Sequence, residues 1–214
     1  MNSPGLAYLL LDGGGAAERQ DDLLALAAEV HGGADATAAR RAALVRRRQP
    51  GFALAEARHG GYLVGYASGM PLRPSTSWWR GLTTPLPADV TTEHPGRTFA
   101  LTELLVRASW RRQGIGRELH DLLLGGRAEE RATALVPPGA GAAQRAFASW
   151  GWQKAARARG DGNPADLDAP VFDVMLIRLP VRAAESRPWL TAELPAGAPL
   201  VSRRCGRAPR RSPR

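Results

Sequence analysis

The stretch Arg111-Arg112-Gln113-Gly114-Ile115-Gly116-Arg117 places two glycines among three arginines, where an apolar strand-like run gives way to a helical one. Amides exposed at a helix start carry partial positive charge, so arginines crowded there are unfavourable unless an anion compensates them. Gly114 and Gly116 have no side chains to hold a phosphate away from those amides, and Arg111, Arg112 and Arg117 supply charge from the rim. The chemistry indicated is anion binding; a solvated basic turn is the other use of the same residues. A dinucleotide fingerprint needs a third glycine where Leu119 stands, and a P-loop needs a Lys followed by Ser or Thr, so neither applies.

The elements that position this stretch are legible around it. Leu6 to Leu11 reads as a strand ended by Gly13, Gly14 and Gly15, and helical spacing predicts helices over Asp21–Val30 and Ala36–Arg48. Phe52–Arg58 and Tyr62–Met70 read as a hairpin turning through Gly60 and Gly61. Residues 71–97 hold five prolines and the pair Trp78-Trp79, with no periodicity, and read as a long ordered loop. Thr98–Arg107 is a central strand, followed by a helix from about Gly114 to Arg131, a strand over Ala132–Val136, a helix over Ala142–Trp150, and strands near Trp152–Arg159 and Val171–Leu179. Strands in runs and in alternation with helices predict an α/β (α+β mixed) sheet covered by helices.

The order Arg111-Arg112-Gln113-Gly114-Ile115-Gly116 resembles the signature of the GNAT acetyltransferase family: Arg or Gln, two residues, Gly, one residue, then Gly or Ala. The approach Glu103-Leu104-Leu105-Val106 also resembles that family, as do the hairpin end Val64-Gly65-Tyr66-Ala67, the Trp150-Gly151-Trp152 closure and the last strand with Met175. The likeness covers roughly residues 6 to 180 and is nearest to bacterial members of undefined substrate. It implies a GNAT-like fold, a mostly antiparallel twisted sheet flanked by helices, and transfer of an acetyl group from acetyl-CoA to a primary amine of a small molecule or peptide. In such proteins the helix after the motif holds the pyrophosphate through its amides, which here are those of Gln113, Gly114, Ile115, Gly116 and Arg117, while the motif strand, at Leu105 and Val106, meets the pantetheine arm. Attack by the amine is direct. No protein nucleophile is needed, which agrees with the lack of a Gly-x-Ser-x-Gly elbow.

An ammonium acceptor must lose a proton before it attacks, and Glu103 is the candidate base. Along the strand it shares a face with Phe99, Leu101 and Leu105, an apolar row that suits a base working near neutral pH; pairing with an arginine, or a place at a wet gap in the sheet, is the alternative. Glu93 and His94 are weaker candidates. Trp78 and Trp79 offer an aromatic wall for the acceptor or, alternatively, cover for the sheet. Two positions depart from the family: Phe147 stands where many members carry a tyrosine that protonates the departing thiolate, and Gly139-Ala140-Gly141-Ala142 has no asparagine. A catalytically weak or inactive GNAT-fold protein, binding CoA or an acidic partner without turnover, is therefore the second reading.

Charge and composition bound the rest. Eight arginines and two glutamates after Pro180 carry six of the nine net positive charges, so the basic character belongs mainly to a Pro/Gly/Arg-rich segment, 181–214, outside the domain expected over 1–180. That segment reads as a solvated tail, with weak nucleic-acid or polyanion binding as its other use. Its lone Cys205 cannot form an internal disulfide, and His31, His59, His94 and His120 show no metal-ligand spacing, so no metal is expected. The lack of a secretory start or a membrane-spanning run predicts a cytoplasmic protein without membrane contact. The resemblance is compatible with a homodimer and does not fix one.

Overall fold

A continuous run of apolar residues builds the first strand, β1 (Leu6–Leu11), and the chain then turns at Asp12. The glycines that follow do not simply end the strand. The Asp12 carboxylate accepts from the Gly15 amide at 2.9 Å, and this N-cap starts a short helix, α1 (Gly13–Glu18), where the glycines alone predict a turn. Helices α2 (Gln20–His31) and α3 (Ala36–Arg47) follow. Strands β2 (Ala53–His59) and β3 (Tyr62–Pro71) form the expected hairpin, with Gly60 and Gly61 both at positive φ (57° and 85°), the backbone that a tight two-residue turn demands. The computed structural model describes residues 5–32, 36–160 and 164–180; the arginine-rich segment 181–214, with Cys205, lies outside them.

The segment after β3 contains one short helix, α4 (Ala88–Thr91), and leads into β4 (Thr98–Val106). Helix α5 (Ile115–Leu124) is shorter than its pattern predicts, because Gly125 and Gly126 withdraw helical support, and Arg131 opens β5 (Arg131–Val136) instead. Helix α6 (Gly141–Ser149) and strands β6 (Gln153–Arg159) and β7 (Val171–Arg178) complete the chain. The seven strands run in the order β1-β2-β3-β4-β5-β7-β6, antiparallel except for β4 and β5. Among the described residues no helix is long and apolar enough to cross a membrane.

Helices α5 and α6 cover one face of the sheet. Ile115, Leu119 and Leu123 of α5 and Phe147 of α6 pack there on Val64, Phe99, Leu101 and Met175. The opposite face is shared: Leu26 of α2 with Leu54, Tyr66 and Leu105 fills one half, and Trp79 and Val90 with Ala100, Val174 and Leu176 fill the other.

Strand β4 carries the irregularity that matters. Its pairing with β3 slips between Ser68 and Gly69, Ser68 facing Glu103 while Gly69 faces Leu101, so Thr102 is an extra residue in the strand. A bulge reverses the alternation beyond it. Phe99 and Leu101 therefore face α5, whereas Glu103 and Leu105 point to the opposite face, and the single row expected of Phe99, Leu101, Glu103 and Leu105 does not exist. Pairing of β4 with β5 also ends after Leu101 and Ala134, leaving a split alongside residues 102–106.

Gly69 is required beside the bulge, because a methyl group there would run into the Phe99 ring and the Ala100 carbonyl oxygen. We expect Gly69→Ala to cost about 1–3 kcal/mol, as overpacking of a close contact does. Gly126→Ala, which meets open space, should stay within about 0.5 kcal/mol of the parent. Urea midpoints at constant m-value check both; equal midpoints would mean that the close approach is not rigid.

Candidate active site

The glycine–arginine stretch is an open helix end. Gly114 caps α5 in the left-handed region (φ 82°) without any side-chain cap, and Arg112 also takes a positive φ of 63°. The amide of Arg117 already donates to the Gly114 carbonyl at 2.9 Å and that of Glu118 at 3.1 Å, so the helical ladder begins there. The amides of Gln113, Gly114, Ile115 and Gly116 find no acceptor among the described residues. These four are the free donors an anion would use, whereas the Arg117 amide is already engaged. Arg111 reaches back so that its Nε donates to the Val106 carbonyl at 2.9 Å, tying the loop to the end of β4 beside the split.

Backbone direction along β4 follows from one bond. Arg107 N donates to Val64 O at 2.9 Å, so by two-residue alternation Leu105 turns its polar groups toward β3, and Leu104 and Val106 turn theirs to the split. Of the expected pair Leu105 and Val106, it is Val106, with Leu104, that turns its backbone groups to the split.

Glu103 lies on the other side of β4, in a cleft of about 540 Å³, open mouth included, beneath α1, α2 and α3. It is not set in an apolar row. Arg46 of α3 donates from Nη2 to Oε1 at 2.7 Å and the Tyr66 hydroxyl donates to Oε2 at 2.9 Å, with both ionic side chains 26% exposed. Burial, followed by the Glu103 charge, pushes the Tyr66 phenol far above its ordinary value, so it remains a protonated donor. Arg46 and Tyr66 escaped sequence reasoning. Only the bulge and the docking of α3 bring them to Glu103.

Beside the cradle, α5 and the turn after α6 build a buried aromatic cluster. Phe147 packs against Trp150 and Trp152 with ring centroids 5.5 and 5.0 Å away, filling its position by packing. His120, fully buried, accepts from Trp152 Nε1 at its Nε2 (2.9 Å), which leaves its proton on Nδ1, 2.7 Å from Asp121 Oδ1. Asp121 in turn accepts from Arg117 Nε at 2.6 Å. A continuous chain Trp152–His120–Asp121–Arg117 therefore holds an arginine at the cradle rim. The i, i+4 spacing of Arg117 and Asp121 was readable in sequence, but the indole donor was not.

The remaining candidates lie apart from the cleft at Glu103. Trp79 is 8% exposed and donates to Glu93 Oε1 at 3.0 Å, and Trp78 packs against the same cluster while its Nε1 donates to Thr133 Oγ1 at 3.3 Å. Of the two readings of this pair, covering the sheet matches its surroundings, not an acceptor wall. Glu93 is buried, and its Oε1 also accepts from Thr98 at 2.9 Å and from Arg131 at 3.1 Å, so it has no route to a substrate. His94 is exposed and sits 3.5 Å from Glu130. Among the described residues no group of three His, Cys, Asp or Glu is placed to hold a metal ion.

Burial pushes the His120 imidazole below its ordinary value, against the pull of Asp121. With the folded value below the unfolded one, the unfolded chain takes up this proton first as pH falls; stability from neutral His120 is complete above roughly pH 6.5 and is lost progressively below it. Urea unfolding across that range should show the decline in the parent protein and a flatter profile in His120→Gln. Parallel profiles would remove His120 from the account.

The model of the acetyltransferase (GNAT) family matches residues 21–152. No curated protein matches the chain by sequence. Among solved structures, ribosomal-protein-alanine N-acetyltransferase from Brucella melitensis superposes with a TM-score of 0.55 at 19% identity, covering 81% of this chain and 99% of its own. Diaminobutyrate acetyltransferase from Paenibacillus lautus, in complex with 2,4-diaminobutyric acid and coenzyme A, gives 0.54 at 15% over 82% and 95%. A putative acetyltransferase from Salmonella typhimurium with acetyl-CoA gives 0.52 at 16% over 85% and 98%. At these identities the likeness concerns the fold, whereas the family match spans more than half of the sequence and includes the open end of α5, the bulged β4 and Glu103: the chain belongs to the GNAT acetyltransferase family.

Proposed function

We propose that the protein transfers an acetyl group from acetyl-CoA to a primary amine. The observation that carries this reading is the row of four unpartnered amides at the start of α5, standing where β4 parts from β5, with Glu103 on the far side of the same strand. Acetyl-CoA fits these residues. The amides of Gln113, Gly114, Ile115 and Gly116 would hold its pyrophosphate, Arg111, Arg112 and Arg117 would screen the charge, and the backbone of Leu104 and Val106 would meet the arm.

When bound, acetyl-CoA supplies a thioester whose carbonyl carbon bonds to the amine nitrogen as the carbon–sulfur bond breaks and CoA leaves as the thiolate. Glu103 takes the proton that the ammonium must lose, with the carboxylate held in place by the Tyr66 hydroxyl. Phe147 has no proton to give, so the thiolate is protonated from solvent. A thiolate is a tolerable leaving group, and the reaction does not depend on that acid.

Isothermal titration with acetyl-CoA and CoA tests the cradle first. An added Cβ at Gly116 meets only ordinary contacts, at 3.8 Å from Trp150 and 3.9 Å from Val106, and an acidic residue in a first helical turn is favourable, so Gly116→Glu should fold normally yet lose CoA binding by tenfold or more. No binding to the parent protein at millimolar ligand would overturn the enzyme reading. Glu103→Gln should lower kcat about 10²-fold with acetyl-CoA affinity retained, the size of effect general-base loss produces. Undiminished turnover in that variant would remove Glu103 as the base, and CoA binding without turnover on any amine would favour the non-catalytic reading.

A further inference from the structure

We infer that the acceptor is a small zwitterion, a primary amine with a carboxylate a few bonds away and an apolar side chain, as in a free amino acid. The inference rests on the acetyltransfer reading and deepens it. Among the described residues the cleft at Glu103 is lined by three charged side chains, Arg46, Arg47 and Glu103. Arg46 neutralises Glu103 through its 2.7 Å ion pair, whereas Arg47 donates only to the neutral Gln20 amide oxygen and has no acidic partner among the described residues.

The described lining thus carries one uncompensated positive charge in a partly desolvated cleft. A plain alkylammonium meets that charge as a repulsion; a zwitterion brings its own anion to it. Leu23, Leu24, Ala27 and Phe52 line the remainder of the cleft and suit an apolar side chain. Arg46 and Arg47, both on the last turn of α3 and both lining the cleft, each offer the forked donors that a carboxylate accepts.

The ion pair with Glu103 gives the carboxylate a second effect. Arg46 holds the oxygen Oε1 that proton transfer requires, since Oε2 already accepts from Tyr66. An acceptor carboxylate that draws Arg46 toward itself frees Oε1 for the ammonium proton of the same molecule. Binding and deprotonation are then coupled through one arginine, and an amine without the carboxylate loses both.

The test compares matched probes: leucine, leucinamide and isopentylamine, with the corresponding methionine and phenylalanine sets, scored by release of CoA thiol and by binding to protein saturated with CoA. Acetyl-CoA binding is measured alongside in every variant to report on the underlying reading. We expect kcat/KM to favour the carboxylate form of at least one set by tenfold or more. The preference should collapse to within about twofold in Arg47→Gln and Arg46→Gln, and return in part in Arg47→Lys, which keeps the charge. Preference for the amide or the decarboxylated amine, a preference unchanged in both Gln variants, or failure of every carboxylate probe to bind or react while acetyl-CoA still binds, overturns the acceptor class alone. Loss of acetyl-CoA binding in the parent protein removes the acetyltransfer reading and the acceptor class with it.

Discussion

The bulge at Thr102 is the constraint on which the site depends. Without it, strand alternation would carry Glu103 onto the face of Phe99 and Leu101, beneath α5, where a carboxylate would be buried among leucines and out of reach of any acceptor. The extra residue turns Glu103 to the opposite face, under α2 and α3, and keeps Leu104 and Val106 in the α5 core. It also coincides with the end of β4–β5 pairing, so the same irregularity that redirects the side chain lies where the backbone groups of β4 are released. Gly69 makes this possible because nothing larger fits against Phe99 and Ala100 opposite it. The two sides of the site are then separated by the thickness of one strand.

How much of this was legible in the sequence depends on the range of the forces involved. The open helix end was readable because it is local: Gly114, Gly116 and their arginine neighbours are contiguous, and the amides they expose follow from helix geometry. The β2–β3 hairpin was readable for the same reason, since Gly60 and Gly61 specify their own turn. The α1 helix was missed because three glycines outweigh one aspartate in a count of propensity, whereas in the fold a single cap bond at Asp12 decides the matter. The bulge was invisible for a deeper reason. Thr102 is an ordinary strand residue, and the slip arises only from the pairing of β4 with Gly69 and Ser68 some thirty residues earlier. The company expected of Glu103 therefore differs from the one the fold gives it.

The aromatic cluster shows the same limit from the other direction. Composition flags Trp150 and Trp152, but nothing local says that the Trp152 indole, past the end of α6, donates to a histidine on α5 and thereby fixes its tautomer. Once fixed, that histidine presents its proton to Asp121, and Asp121 holds Arg117 beside the free amides of α5. Phe147 belongs to this cluster: a hydroxyl on its ring would need its own partner among the rings of Trp150 and Trp152. The residue that departs from the family pattern is thus consistent with its packing here.

Two acid–arginine pairs in this fold look alike in a list of contacts and differ in what they do. Glu93 and Arg131 are both buried, and Glu93 Oε1 accepts from Trp79, Thr98 and Arg131 together; removing either charge would strand the other in a low-dielectric interior, at a cost of about 3–5 kcal/mol. That pair joins the segment after β3 to the start of β5 and has no freedom to exchange partners. Glu103 and Arg46 sit a quarter exposed at the wall of a cleft, each with one or more hydrogen-bonding positions left over. In that setting an ion pair is worth little by itself and is readily exchanged for another. Burial therefore separates the acid that is locked into the fold from the acid that stays within reach of the cleft, and it does so where residue type and neighbouring charge do not.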